Sequence, residues 1–288
     1  MEILLKKCSK EMKDNPLVSV CMITFNHESY IREAIEGVLM QKINFTIELI
    51  IGEDCSTDNT RKIVKEYEAL YPEIIVAQYP ETNRGMMRNF TSVLQSARGK
   101  YIALCEGDDF WTDPLKLQKQ VDFLEMNEEY SICFHNVKIF KENENKFMAD
   151  YITREVNETS DIYELAKANY IHTPSVLFRN IITEFPTEFY NSPAGDYFLH
   201  MLNAQFGKIK KLKDCMAVYR VHEGGVWSTK SNKESILTYL DLMIKYFEDE
   251  KILAILQKRK QSIIKADKMP KKILIQIKKI INELFNGC

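Results

Sequence analysis

Three polar and acidic clusters stand directly behind apolar runs in the first half of the sequence, and the densest is Glu106-Gly107-Asp108-Asp109, after Tyr101 to Cys105. Carboxylates crowded together with no Lys or Arg between them repel one another, and a bound divalent cation offsets that cost. A hard ion, Mg2+ or Mn2+, is the expected occupant. Glu53-Asp54-Cys55-Ser56-Thr57-Asp58 follows Glu48 to Gly52, and Thr24, Asn26 and His27 close the run that begins at Leu17. Asp58 by itself reads as a helix-start residue. Asp196, in Pro193-Ala194-Gly195-Asp196-Tyr197, precedes an apolar periodicity and is either an N-cap or a carboxylate for proton transfer. His222, in Tyr219-Arg220-Val221-His222-Glu223-Gly224-Gly225, is either a packed histidine or a metal or phosphate ligand. His172-Thr173-Pro174-Ser175 is a plain turn or the lead-in to a strand under a second substrate, and Trp111 is either core or a stacking face. His27, His135 and His200 have no spacing that makes a second metal site.

These residues need elements to hold them. Leu17 to Thr24 is a β-branched run followed by helically spaced Ile31, Ala34, Ile35 and Val38, and Glu48 to Gly52 precedes a helix carrying Ile63, Val64 and Tyr67, with capping side chains at 56–58. Ile74 to Gln78 and Tyr101 to Cys105 complete a set of short apolar strands of the kind buried on both faces of a mostly parallel sheet. Such sheets bind ligands at the carboxyl ends of their strands, where the polar clusters stand.

Composition sets the frame. With 288 residues, 45% of them hydrophobic and 28% charged, the chain can bury a sizeable core, and disorder is excluded. Its seven cysteines are scattered without C-x-x-C spacing and read as reduced thiols. Residues 1–16 have mixed charge and no long apolar stretch, so a cytoplasmic location is expected. The net charge of −2 hides an asymmetry: from Lys251 onward ten basic residues face two acids, a tail of +8 against −10 for the rest.

The order of motifs is specific. Val18-Ser19-Val20 runs into Thr24-Phe25-Asn26; Glu53 to Thr60 follows; then Asn83-Arg84-Gly85 with Arg88-Asn89; then Gly99-Lys100-Tyr101 into Glu106-Gly107-Asp108-Asp109. This series resembles glycosyltransferase family 2 of the bacterial capsule and lipopolysaccharide type, strongly over 16–140 and more weakly to 228. The resemblance implies an α/β fold of GT-A type, a Rossmann-like nucleotide-binding sheet merged with an acceptor-binding half. Within a domain over 1–228, the nucleotide-sugar half would be 16–140 and the acceptor half 141–228, with a helical tail over 229–288. It implies inverting transfer of a hexosyl or hexosaminyl group from a nucleotide-diphosphate sugar, with UDP expected, to a glycan or lipid-linked acceptor in cell-surface polysaccharide synthesis. Thr24 and Asn26 would line the nucleotide pocket and Asp54 would accept from the base. Glu53 stands where many members have a first aspartate, and Arg88 and Asn89 match the family's Arg-Asn pair. Glu106-Gly107-Asp108 occupies the D-x-D position, with Asp108 on the metal and Glu106 reaching the ribose or a metal-bound water. Asp109 would orient its neighbours, Asp196 would act as base, and His222 would sit on metal or diphosphate. Thr173, Trp111 and Trp227 fall on the acceptor side.

Two rival readings differ in class. A sugar nucleotidyltransferase would need a Gly-rich basic loop after the first strand, and this chain has Phe25-Asn26-His27-Glu28. A binding module without turnover would have no need of both Asp108 and Asp196. No nucleic-acid partner is expected. Leu240, Met243, Ile244 and Phe247 continue an apolar helical stripe, and the basic segment 271–285 is either a helix packed on protein or one lying on an anionic membrane.

Overall fold

A computed structural model describes residues 16–225 and 233–267. Four strands alternate with three helices from Val18 to Leu104: β1 (Val18–Thr24), α1 (Ile31–Leu39), β2 (Ile47–Glu53), α2 (Thr60–Leu70), β3 (Ile75–Gln78), α3 (Met86–Ser96) and β4 (Tyr101–Leu104). β1 to β4 are parallel, in the order β3-β2-β1-β4. Their side chains alternate between two cores. Val18, Val20 and Met22 of β1 join Leu49 and Ile51 of β2 under α1 and α2, whereas Cys21 and Ile50 face α3. Both faces are covered, which is why these strands read as continuous apolar runs.

The sheet then departs from the expected parallel pattern. β5 (Phe110–Trp111), α4 (Lys116–Met126), β6 (Tyr130–Lys141), β7 (Lys146–Ala149), β8 (Thr159–Ser160), α5 (Ile162–Lys167), β9 (Leu177–Arg179), α6 (Thr187–Tyr190), α7 (Gly195–Asn203) and β10 (Lys208–Val221) follow. The sheet continues β4-β9-β6-β10-β5, with β9 antiparallel to both its neighbours and β10 parallel to β6. This arrangement brings the end of β10 beside β5, next to the acidic loop that β5 follows.

α8 (Lys233–Tyr246) and α9 (Glu250–Asp267) are not an appendage among the described residues. Leu240, Met243 and Leu256 are fully buried in the same core as Phe198 and Leu202 of α7, and burial of this kind contributes about 1.5–3 kcal/mol per side chain. Arg259 adds hydrogen bonds to the hydroxyls of Tyr197 (2.9 Å) and Tyr239 (2.6 Å). The segment 271–285, read as packed or membrane-bound, lies outside the described residues. No helix among the described residues is long and apolar enough to cross a membrane.

One buried charge sits in the core. Lys116 is fully buried, donates from Nζ to Gln120 Oε1 at 2.8 Å, and holds Nζ 4.0 Å from the centroid of the Trp111 ring. Burial pulls its ammonium from the ordinary 10.5 down to about 7. The unfolded chain therefore holds more protons between those values, and stability rises with pH across that window and falls as pH drops toward 7. Lys116→Met is expected to remove a rise of up to about 3 kcal/mol between pH 7 and pH 9, the ring and Gln120 offsetting part of it. Denaturant melts of both proteins at the two pH values check this, and parallel profiles would exclude Lys116 as the source.

Candidate active site

Beyond Leu104 the chain crosses the sheet edge as Cys105-Glu106-Gly107-Asp108-Asp109. The N–H groups of Cys105 and Gly107 donate to the carbonyls of Cys21 (3.2 Å) and Ile23 (2.9 Å), seating the loop against the end of β1. A Cβ on Gly107 would lie 2.6 Å from Thr24 Oγ1 and 3.0 Å from His27 Nδ1, so the approach requires glycine. Arg220, near the end of β10, closes the loop from the other side. Its backbone N–H donates to Asp109 Oδ1 (2.8 Å), its Nε to the Asp108 carbonyl (2.8 Å) and its Nη2 to Glu33 (2.6 Å). The guanidinium is engaged by a carbonyl and by Glu33, so it fixes the loop's shape and leaves most of its negative charge in place.

That charge is unevenly held. Burial first, then Asp108 and Asp196, push the Glu106 carboxyl well above the usual range. Asp109 is pushed the same way by burial, then by Asp108 and Glu106. Asp108 goes down: burial would raise it, but the His222 hydrogen bond and the charges of His27 and His222 outweigh that. Asp108 Oδ2 lies 3.0 Å from His222 Nε2 and 3.9 Å from His27 Nε2. Burial keeps His27 itself below its ordinary value.

The donor set fits a divalent cation. Asp108 is shared by two groups, His27-Asp108-His222 and Glu106-Asp108-Asp109, and in each the donor atoms lie within 4.8 Å of one another. Asp109 Oδ2, His27 Nδ1 and Thr24 Oγ1 are buried polar atoms with no hydrogen-bond partner among the described residues. Such orphaned atoms are costly unless something supplies the missing bond.

Behind β1 and β2 lies a second polar wall. Asn26 has a left-handed backbone (φ 55°), its N–H donates to Ser56 Oγ (2.9 Å) and its Oδ1 accepts from Thr57 N (2.8 Å), so the two loops are laced together. Asp58 stands at the start of α2, one residue before the cap position. Its carboxylate accepts from Thr60 N (2.9 Å) and Glu28 N (3.0 Å), while Asn59 occupies the cap position of α2. Asp54, 3% exposed, accepts from the N–H groups of Arg84 (2.7 Å) and Gly85 (2.9 Å) and so shapes the 83–85 turn. Glu53 is fully buried, with one oxygen on Ser56 N (2.7 Å) and the other on Arg61. Asn89, 4% exposed, donates to the Gly52 carbonyl at 2.7 Å, and a Cβ on Gly52 would meet its Oδ1 at 2.4 Å. Glu53 and Asn89, read as nucleotide-sugar contacts, thus each make hydrogen bonds within the fold, through Oε1 and Oε2 and through Nδ2. Arg88 is exposed on α3 with no hydrogen bond or ion pair among the described residues.

On the other side of the acidic loop is Asp196, in the first turn of α7 behind the cap residue Ala194. A helix N-terminus favours negative charge. Burial raises the Asp196 carboxyl, while the Tyr197 N–H, His172 and the Thr173 hydroxyl act to lower it. The 173–175 turn that presents Thr173 is pinned from below, Trp111 Nε1 donating to the Pro174 carbonyl at 2.9 Å and Gln120 Nε2 to the Ser175 carbonyl at 2.9 Å. Trp111 is 2% exposed, so its ring offers no face to a sugar and belongs to the core. His172 bonds Asp150 at 3.0 Å and packs on Tyr219, whose hydroxyl is raised by burial and then by Asp109, Glu106, Asp108 and Asp196. Trp227 lies outside the described residues.

A family model described as Glycosyl transferase family 2 matches residues 19–185. The chain belongs to glycosyltransferase family 2. An uncharacterised protein of Mycobacterium tuberculosis is 40% identical over 214 residues, 73% of this chain and 60% of that protein. The family 2 chain thus spans about 60% of the length of the first curated relatives it matches. S. aureus TarS, solved over residues 1-349 with UDP-GlcNAc, superposes with a TM-score of 0.62 at 19% identity, covering 85% of this chain and 72% of that one. The mannosyltransferase PcManGT from Pyrobaculum calidifontis, in complex with GDP-Man and Mn2+, gives 0.63 at 15% identity, covering 93% and 81%. At these identities the likeness concerns the fold, which is GT-A.

Within this family 2 chain the fold gathers Thr24, Glu106, Gly107, Asp108, Asp109 and His222 at one edge, with Asp196 close enough to act on the Glu106 carboxyl. Two residues in the same place were not singled out from sequence, Tyr219 and Arg220, and His27, grouped with Thr24 and Asn26 behind the first strand, was given no metal role. Arg220 and His222 are two apart at the end of a strand, so they share a face, and that period was the available signal for Arg220. For His27 the signal was its place behind the first strand, and its partners, which come from the ends of β4 and β10, were not visible.

Proposed function

We propose that this chain transfers a sugar from a nucleoside diphosphate donor to an acceptor hydroxyl with inversion at the anomeric carbon. The observation that carries the reading is the convergence of Glu106, Asp108, Asp109 and His222 at one edge of the sheet with Asp196 near enough to raise the Glu106 carboxyl. Asp108, with His222, would hold Mg2+ or Mn2+, and a bound divalent ion supplies charge stabilisation to the departing diphosphate. Glu106 would meet the ribose or a water on the metal, and Asp109, held by the Arg220 N–H, keeps the loop's shape. Thr24, Asn26 and Asp54 would line the nucleotide side, with Arg88 free to meet phosphate. Asp196 takes the proton of the attacking hydroxyl, and Thr173 and the Tyr197 N–H favour its ionised form against the rise that burial causes.

The donor is proposed to be a UDP-hexose or UDP-hexosamine, in line with the UDP-GlcNAc bound to TarS, and the acceptor a glycan or lipid-linked saccharide of cell-surface polysaccharide synthesis. The enzyme would act in the cytoplasm, with 271–285 on the anionic inner face of the membrane if the acceptor is lipid-linked. The first test is a thermal-shift panel of nucleoside diphosphates with and without Mn2+. A ligand at a hundred times its Kd adds about 2.7 kcal/mol, a shift of about 4–5 °C for a chain of this size. UDP with Mn2+ should give the largest shift and neither alone should match it. No shift with any diphosphate would sink the reading.

A further inference from the structure

The two imidazoles beside Asp108 come from distant parts of the chain. His27 lies in the β1–α1 loop, where its N–H donates to Thr60 Oγ1 (2.8 Å) and its carbonyl accepts from Tyr30 N (2.9 Å) and Ile31 N (2.9 Å) at the start of α1. Its backbone is therefore committed to the fold, while its Nδ1 is buried with no partner among the described residues. Its ring stands edge-on to that of His222, with centroids 6.1 Å apart and planes at 83°. Gly107 leaves room for the ring, since a Cβ there would approach Nδ1 to 3.0 Å.

The separations suit a shared ion. Metal bonds of about 2.1 Å place two ligand atoms about 3.0 Å apart at a right angle and about 3.4 Å apart in a tetrahedral set. His222 Nε2 and His27 Nε2 lie 3.0 and 3.9 Å from Asp108 Oδ2, the second a wider angle that a small ring rotation closes. The orientation of the His27 ring is set by its committed backbone and by the close approach of Gly107 rather than by a bond at Nδ1.

We propose that His27 is a protein ligand of the cation, completing a two-histidine, one-carboxylate set with Asp108 and His222 that takes a first-row transition ion of the Mn2+ or Co2+ class in preference to Mg2+. This rests on the proposed function only in needing a cation at Asp108. Imidazole donors suit transition ions, whereas Mg2+ prefers carboxylate, phosphate and water oxygens and dehydrates reluctantly. Glu106 and Asp109, on the other side of Asp108, would then neutralise the set's remaining positive charge without being required as ligands.

Pulsed EPR of the full-length chain loaded with Mn2+ counts the imidazole nitrogens coupled to the ion, and equilibrium dialysis gives its affinity beside that of Mg2+. Wild type should show two coupled imidazoles, and His27→Gln and His222→Gln one each. His27→Gln should weaken Mn2+ by about 10- to 100-fold and Mg2+ by much less, so that selectivity falls by a similar factor. His27→Glu, which restores a donor at similar reach, should regain Mn2+ affinity with only one imidazole coupled; circular dichroism confirms that each variant folds. A single coupled imidazole in wild type that survives His27→Gln and vanishes in His222→Gln overturns the proposal and leaves the transferase reading standing. Absence of any Mn2+ binding overturns both.

Discussion

Asp108→Asn is expected to abolish sugar transfer while the protein keeps its fold. Asp108 is the one carboxyl of its cluster held below the usual range, by the His222 hydrogen bond and the two imidazoles, so it is the group that carries negative charge in both donor sets. The amide has the same shape but no charge and presents at most one acceptor oxygen. Charge stabilisation worth several kcal/mol would go with it, and at about 1.4 kcal/mol per tenfold the rate should drop by about 10³ or more. Stability should move little. The Asp108 side chain belongs to neither core, and losing its charge relieves Glu106 and Asp109, whose carboxyls its field raises. Donor turnover measured against Mn2+ concentration, with melting curves alongside, gives both readings. Wild-type rates, or wild-type activity that a chelator leaves unchanged, would remove Asp108 from the site.

The first four strands were legible because each is apolar on both sides. Val18, Val20 and Met22 go to one core and Cys21 to the other, so the run is apolar except for Ser19, whose buried hydroxyl donates to Glu48, and its end is marked by the cluster that follows. The second half hid its architecture. β10 pairs with β6, more than seventy residues away, and its burial is mixed, with Lys213, Asp214 and Cys215 exposed between buried segments. No local pattern reveals a partner that distant, and the antiparallel β9 is only three residues long. The stripe of Leu240, Met243 and Phe247 was visible, but not that its other side is α7 and that the helices complete the core.

The site divides along the same line. Glu106, Asp108 and Asp109 could be read because they are neighbours in sequence and their repulsion needs no structure to infer. Glu53, Asn89 and Trp111 looked equally chemical, but Glu53 Oε2, Asn89 Nδ2 and Trp111 Nε1 already bond Arg61, Gly52 and Pro174 within the fold. Residue type tells what bonds a side chain can make; only the fold tells which are already made. His27 is the reverse case, an ordinary turn histidine until β4 and β10 bring Asp108 and His222 to it.

Asp196→Asn separates proton transfer from donor binding. The carboxyl sits in the first turn of α7, where a charge is favoured by the helix N-terminus, and Asn fits the same place without altering packing. Losing a general base costs about 10²- to 10⁴-fold, so kcat should fall by that factor while donor and Mn2+ affinities stay near wild type, because Asp196 is outside both donor groups around Asp108. A variant that turns over normally at saturation but binds donor weakly would make Asp196 a donor contact. The pH profile gives a second, independent reading. Burial raises the Asp196 carboxyl above the usual aspartate value, so the acid limb of kcat/KM should lie higher than for a solvated aspartate. Thr173 works against that rise. Its hydroxyl favours the ionised form, and Thr173→Val removes it while keeping the volume of the side chain, so the carboxyl should protonate more readily and the acid limb should move to higher pH. Rates on the plateau should change far less than in Asp196→Asn, because the base is still present once ionised. A limb that stays where it was in Thr173→Val would mean that the activity is titrating some group other than Asp196.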